Sequence, residues 1–81
     1  MVKRLDEFNI GECGVVSKII AEGKIKRRLL DMGVTPNTFL TLKKKAPLGD
    51  PIEVTLLNYE LTLRKNEANL VLVEVQGDDL K

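Results

Sequence analysis

One thiol, twelve carboxylates, thirteen cations and no histidine are what this 81-residue chain offers to chemistry. Without histidine there is no His-based triad and no imidazole general base. Cys13 lies between Glu12 and Gly14, with no imidazole to activate it. It reads as a buried structural thiol, free cysteine being among the most buried residue types. Its sharper reading is a metal-linked or redox contact between copies of the chain. The carboxylates show no pair that strand or helix spacing would gather in a cleft, and one thiolate with scattered acids is too few ligands for a metal site within the chain. Gly11, Gly14 and Gly23 miss the G-x-x-x-x-G-K-[ST] spacing that aims backbone N–H groups at phosphates. The chain therefore reads as a non-enzyme with no cofactor and no metal of its own.

Two cationic clusters remain: Lys24, Lys26, Arg27 and Arg28, and the run Lys43, Lys44, Lys45. Such clusters suit an anion- or acid-binding surface. The plainer readings are a solvated helix face beside Glu22 and Asp31, and lysines that guard a strand end against edge-to-edge pairing. The net charge of +1 is a weaker basic bias than nucleic-acid binders usually show. Three aromatics, Phe8, Phe39 and Tyr59, are a poor stacking platform for bases. Nucleic acid is not the expected partner, although a small basic-patch barrel that binds it is the alternative.

The elements that must position these groups follow from period and punctuation. Eighty-one residues make one domain, taken as 1–75, with a polar tail over 76–81 that is expected to fray. With 43% hydrophobic residues and few aromatics, the core must be Leu, Ile and Val. No apolar stretch approaches the roughly 20 residues of a membrane-spanning helix. The opening MVKRLDEF meets acids too soon for a signal peptide. A single cysteine suits a reducing cytoplasm.

Residues 13–20, rich in β-branched side chains, read as a strand. Ile25, Leu29 and Met32 fall at i, i+4 and i+7 and predict a helix over 24–32, with Gly33 free to take positive φ at its end. Thr35-Pro36-Asn37 is a turn. Residues 38–45 and 52–57 alternate as strands, Asn58-Tyr59 supplies a turn, and 60–64 returns. Residues 65–69 suit one helical turn, and 70–75 a final strand. These pieces predict a mainly β fold: a small antiparallel barrel of about five strands, with one helix after the first strand and a short helical turn before the last.

Three motifs then make the chain specific: RRLLDMG (27–33) with the P-x-T at 36–38, APLGDP (46–51), and LRKNEA (63–68) with Leu61 just before. In this order and spacing the chain, from Leu5 to Val75, resembles the FeoA family of small cytoplasmic accessory proteins of ferrous iron uptake. The departures are small: Asn37 and Asn58 stand where glycine is common, and Phe39 where a polar residue is usual. The resemblance implies an SH3-like barrel and a regulatory or scaffolding role beside the membrane iron permease FeoB, whose cytoplasmic part carries a GTP-binding domain. The membrane would then be met only indirectly, through the permease. The same SH3-like domain closes metal-dependent transcriptional repressors, but their helix-turn-helix is absent here and a free-standing repressor is not expected.

On that footing, physical chemistry nominates contact residues. Pro47 and Pro51 stiffen their loop, so little ordering entropy is lost on binding. Gly49 permits positive φ, and Asp50 can bond N–H groups of its own turn. Leu48 would stand apolar at the tip, or else fold back into the barrel mouth. Tyr59 offers ring area and a hydroxyl. Arg27 and Arg28 could pair with acids on the partner, or one of them could brace Asp50. An outward Phe39 together with Cys13 would permit weak self-association.

Overall fold

Ile52, Val54 and Leu56 are completely or almost completely buried while Glu53 and Thr55 between them are half-buried, the period-2 pattern of a strand with one face on a core. This strand, β4 (Ile52–Leu56), lies near one side of a six-stranded antiparallel sheet seen in a computed structural model that describes residues 1–78. The other strands are β1 (Val2–Arg4), β2 (Glu12–Ile19), β3 (Phe39–Lys45), β5 (Tyr59–Leu63) and β6 (Val71–Asp78), in the spatial order β1-β6-β2-β3-β4-β5. Two short helices, α1 (Gly23–Asp31) and α2 (Lys65–Ala68), and a 3-10 turn at Leu5–Glu7 complete the chain.

The mainly β, antiparallel expectation holds, with one strand more. Val2–Arg4 pairs with β6 through Val2↔Glu74 and Arg4↔Leu72, so the long helix follows the second strand rather than the first. A three-residue edge strand with two cations carries too little alternation to be read in advance. At the other end β6 continues to Asp78, where Glu12↔Asp78 and Cys13↔Gly77 pair. The first three residues of the expected tail thus extend a strand, and 79–81 lie outside the described residues.

Strand β2 turns the sheet. It pairs with both β3 and β6 and carries irregularities between Cys13 and Gly14 and between Val16 and Lys18, which bend a strand and raise its twist. Gly14 is required there: a Cβ would lie 2.3 Å from the Glu74 carbonyl oxygen and 2.8 Å from Val73 Cγ1. Inside the bend sit Phe8, Leu5, Val16, Leu40, Leu42 and Val73, all essentially without solvent contact. Each such side chain contributes about 1.5–3 kcal/mol through burial.

Helix α1 departs from its expected phase. Leu29 is fully buried and Leu30 and Met32 pack partly on the core, but Ile25 is 50% exposed. Every residue from Gly23 to Arg28 is exposed, so the first turns stand clear of the sheet. The inward contact begins only at Leu29. The helix ends as glycine at this position should end it: Gly33, at φ +94°, donates to the Leu30 carbonyl and Val34 donates to that of Leu29.

Candidate partner-binding surface

The segment joining β3 to β4 runs through Ala46, Pro47, Leu48, Gly49, Asp50 and Pro51. The Gly49 amide donates to the Ala46 carbonyl at 2.7 Å, and the Ala46 amide donates to the Pro51 carbonyl at 3.0 Å. This is a tight turn with Pro47 at its second position, where the ring presets φ, and Gly49 at φ +83°. Leu48 stands at the tip with 92% of its surface exposed; it does not fold back onto the barrel. The Asp50–Pro51 peptide is cis.

Asp50 does not bond within its own turn as expected. Its Oδ1 accepts from the Lys65 backbone amide at 2.9 Å, the first residue of α2 and one whose N–H has no partner inside the helix. The loop is therefore fastened to an element fifteen positions away in sequence. Short-range reasoning could not find that partner.

Arg28 engages the same short helix through a side chain. Its guanidinium lies 3.3 Å from Glu67 Oε2, so it braces α2 rather than Asp50. Glu67 also accepts from the Arg64 amide at 3.1 Å, a capping arrangement that satisfies an orphan donor at the start of α2. Arg27 is exposed and lines an open hollow with Lys26 and Leu30.

Tyr59 is the first residue of β5, not part of a turn. The turn is Leu57-Asn58, and Leu57 rather than Asn58 takes positive φ, at +47°. The Tyr59 hydroxyl donates to the Met32 carbonyl at 2.8 Å, latching β5 to the end of α1. A Cβ on Gly33 would lie 1.9 Å from that hydroxyl oxygen. The hydroxyl is thus committed internally, while the residue as a whole is 41% exposed.

The lysine run belongs to β3 itself. Lys43 pairs across the sheet with Glu60, and Lys45 lines a groove with Ala46 and Pro51 at the foot of the loop. Lys3 and Glu12 form a half-buried pair at 3.0 Å. The Asn9 amide, and then Lys3, hold the Glu12 carboxyl below its usual range against the opposing cost of burial. Cys13 is buried, in keeping with a structural thiol. Among the described residues no cluster of three His, Cys, Asp or Glu side chains is placed to hold a metal ion. Among them, too, no helix is long and apolar enough to cross a membrane.

Sequence reasoning missed Leu57, 82% exposed in the β4–β5 turn. Its signal was legible: it breaks the alternation of Ile52, Val54 and Leu56 and so cannot share their inward face.

The fold is a small antiparallel barrel that carries an exposed apolar side chain, Leu48, at the tip of a braced loop. The model of the FeoA domain matches residues 3–75, and the chain belongs to the FeoA family, a transport-associated domain of ferrous iron uptake. It is 31% identical over 72 residues, 89% of its length, to an Fe(2+) transport protein A/Fe(2+) transporter FeoB fusion protein of Porphyromonas gingivalis, of which it covers only 8%. The FeoA-like protein of Clostridium acetobutylicum superposes with a TM-score of 0.85 at 41% identity, over 93% of this chain and 87% of that one. The FeoA of Stenotrophomonas maltophilia, solved with zinc and described as a prokaryotic SH3 domain protein, does so with a TM-score of 0.75 at 28% identity, over 91% and 89%. The SH3-like reading of the fold stands with these neighbours.

Proposed function

We propose that this chain is a cytoplasmic accessory protein that acts by binding the cytoplasmic GTP-binding part of a FeoB-type ferrous iron permease, with the 46–51 loop as principal contact. The observation that carries this is Leu48: an apolar side chain 92% exposed on a loop held by two backbone bonds and the Asp50–Lys65 bond. An apolar group prearranged in this way binds with little ordering cost, and an aliphatic side chain seated in a partner's pocket can anchor an interface. The fusion of the two proteins in one P. gingivalis polypeptide supports association, since domains joined in one chain work at high effective concentration.

Pro47, Gly49 and Asp50 shape and fasten the tip. Tyr59 presents ring surface while its hydroxyl holds α1, and of the two arginines Arg27 is the one whose cation is not spent on α2. Phe39, 46% exposed on the outer face of β3, leaves room for weak self-association. The nucleic-acid alternative loses ground, because Phe8 is fully buried, which leaves Phe39 and Tyr59 as the partly exposed aromatics for base stacking. Retention of the permease's cytoplasmic domain on the immobilised chain, with and without guanine nucleotide, tests the reading. Specific retention is expected; none under either condition refutes it.

A further inference from the structure

Helix α1 exposes a face that the loop contact does not use. Lys26, Arg27, Leu30 and Asp31 line one open hollow of about 320 Å³. Lys18, Ile20, Glu22 and Lys26 line a second of about 300 Å³. Lys26 stands between them. Among the described residues Arg28 is paired with Glu67, but no ion pair reaches Lys18, Lys26 or Arg27. Apolar surface is interleaved with these cations: Ile20 is 38% exposed, and Leu30 is only partly covered.

We propose that this face is a second docking surface for the same partner protein, receiving a segment in which acidic side chains alternate with apolar ones. Carboxylates would sit between Lys18 and Lys26 and between Lys26 and Arg27, with apolar side chains on Ile20 and Leu30. Charge complementarity favours an acidic segment. The sign pattern then separates a protein from a polyanion. Glu22 lines one hollow and Asp31 the other, so a uniformly negative lipid surface or nucleic acid meets a carboxylate at each and loses part of the attraction that the cations supply. A protein segment that places its acids only over the cations does not. The weak net charge of +1 points the same way. The proposal rests on the reading that the chain binds the permease's cytoplasmic domain.

The test is titration of that labelled domain with the wild-type chain and with the double variant Lys26→Glu/Arg27→Glu, at low and high salt. Vesicles containing phosphatidylglycerol and a DNA duplex are titrated in parallel. The expected result is wild-type binding that weakens about tenfold with salt, and a charge-reversed variant at least about tenfold weaker at low salt whose binding recovers in part as salt screens the new repulsion. A Lys26→Gln/Arg27→Gln variant falls between them, and unchanged melting temperatures keep folding out of the comparison. Equal affinity and equal salt dependence in all three proteins overturns the α1 surface while leaving the permease reading intact. Tighter binding of the wild type to vesicles or DNA than to the domain, lost on charge reversal, overturns it in favour of a polyanion. No binding of the wild type to the domain overturns both readings.

Discussion

The Asp50 carboxylate accepts a hydrogen bond from the Lys65 amide at 2.9 Å, which makes the loop that displays Leu48 and the start of α2 one mechanical unit. Arg28 reaches the same helix through Glu67, so the loop and α1 both hold on to four residues, Lys65–Ala68.

Asp50→Ala should therefore act on the loop and on the fold together. Loss of a bond to a helix-initiating N–H costs about 0.5–2 kcal/mol. Thermal melting should show a modest drop, and amide exchange should quicken at Lys65 and Gly49. An unchanged Lys65 amide would mean that the bond contributes nothing in solution.

Gly33→Ala should be destabilising for two separable reasons. Positive φ is costly for an alanine, by about 1 kcal/mol or more, and its Cβ would strike the Tyr59 hydroxyl oxygen. The next atom of that ring, Cζ, would be 3.3 Å away, so removing the hydroxyl relieves much of the clash. Gly33→Ala should cost less in a Tyr59→Phe background than in the wild type, a coupling that urea unfolding of the four proteins measures. Strict additivity would show that the latch and the glycine are independent.

Gly14→Ala meets backbone, which cannot swing aside as a side-chain tip can. With the Glu74 carbonyl oxygen 2.3 Å from the added carbon, the β2–β6 pairing must open. A loss above about 3 kcal/mol is expected, enough to unfold a domain of this size or bring it close to unfolding. A soluble variant with native melting would contradict this packing.

Acid should destabilise the protein partly through Glu12. Its carboxyl is held below the ordinary 4.5, first by the Asn9 amide and then by Lys3. A depressed carboxylate stabilises the fold above its unfolded pKa, and that contribution is lost as pH falls through the lower folded value. The urea midpoint should fall between about pH 5 and pH 3, and Glu12→Gln should be less stable at neutral pH with a flatter acid limb. Parallel profiles for the two proteins would remove Glu12 from the account.

Much of this architecture was legible in the residues. The alternation of Ile52, Val54 and Leu56, the glycine ending α1, and the proline–glycine pattern of 46–51 each specify local structure by themselves. What escaped depended on distant partners or on too few residues. Val2–Arg4 is too short to carry a period. Ile25 has the right spacing for a core stripe, yet nothing local says that the first turns of α1 stand off the sheet. The bonds Asp50–Lys65 and Tyr59–Met32 join residues 15 and 27 apart, and only the fold brings them together. The exposure of Leu48 is of the same kind: its turn could be foreseen, but its direction could not.

The measurement closest to the central claim is the affinity of Leu48→Glu for the permease's cytoplasmic domain, read beside its own stability. A side chain 92% exposed contributes little to the fold, so the melting temperature should stay within the small range of surface substitutions. Binding should fall by about 2 kcal/mol or more, roughly thirtyfold, as expected for an anchor at an interface centre. A folded Leu48→Glu protein that binds the domain as tightly as the wild type contradicts the account.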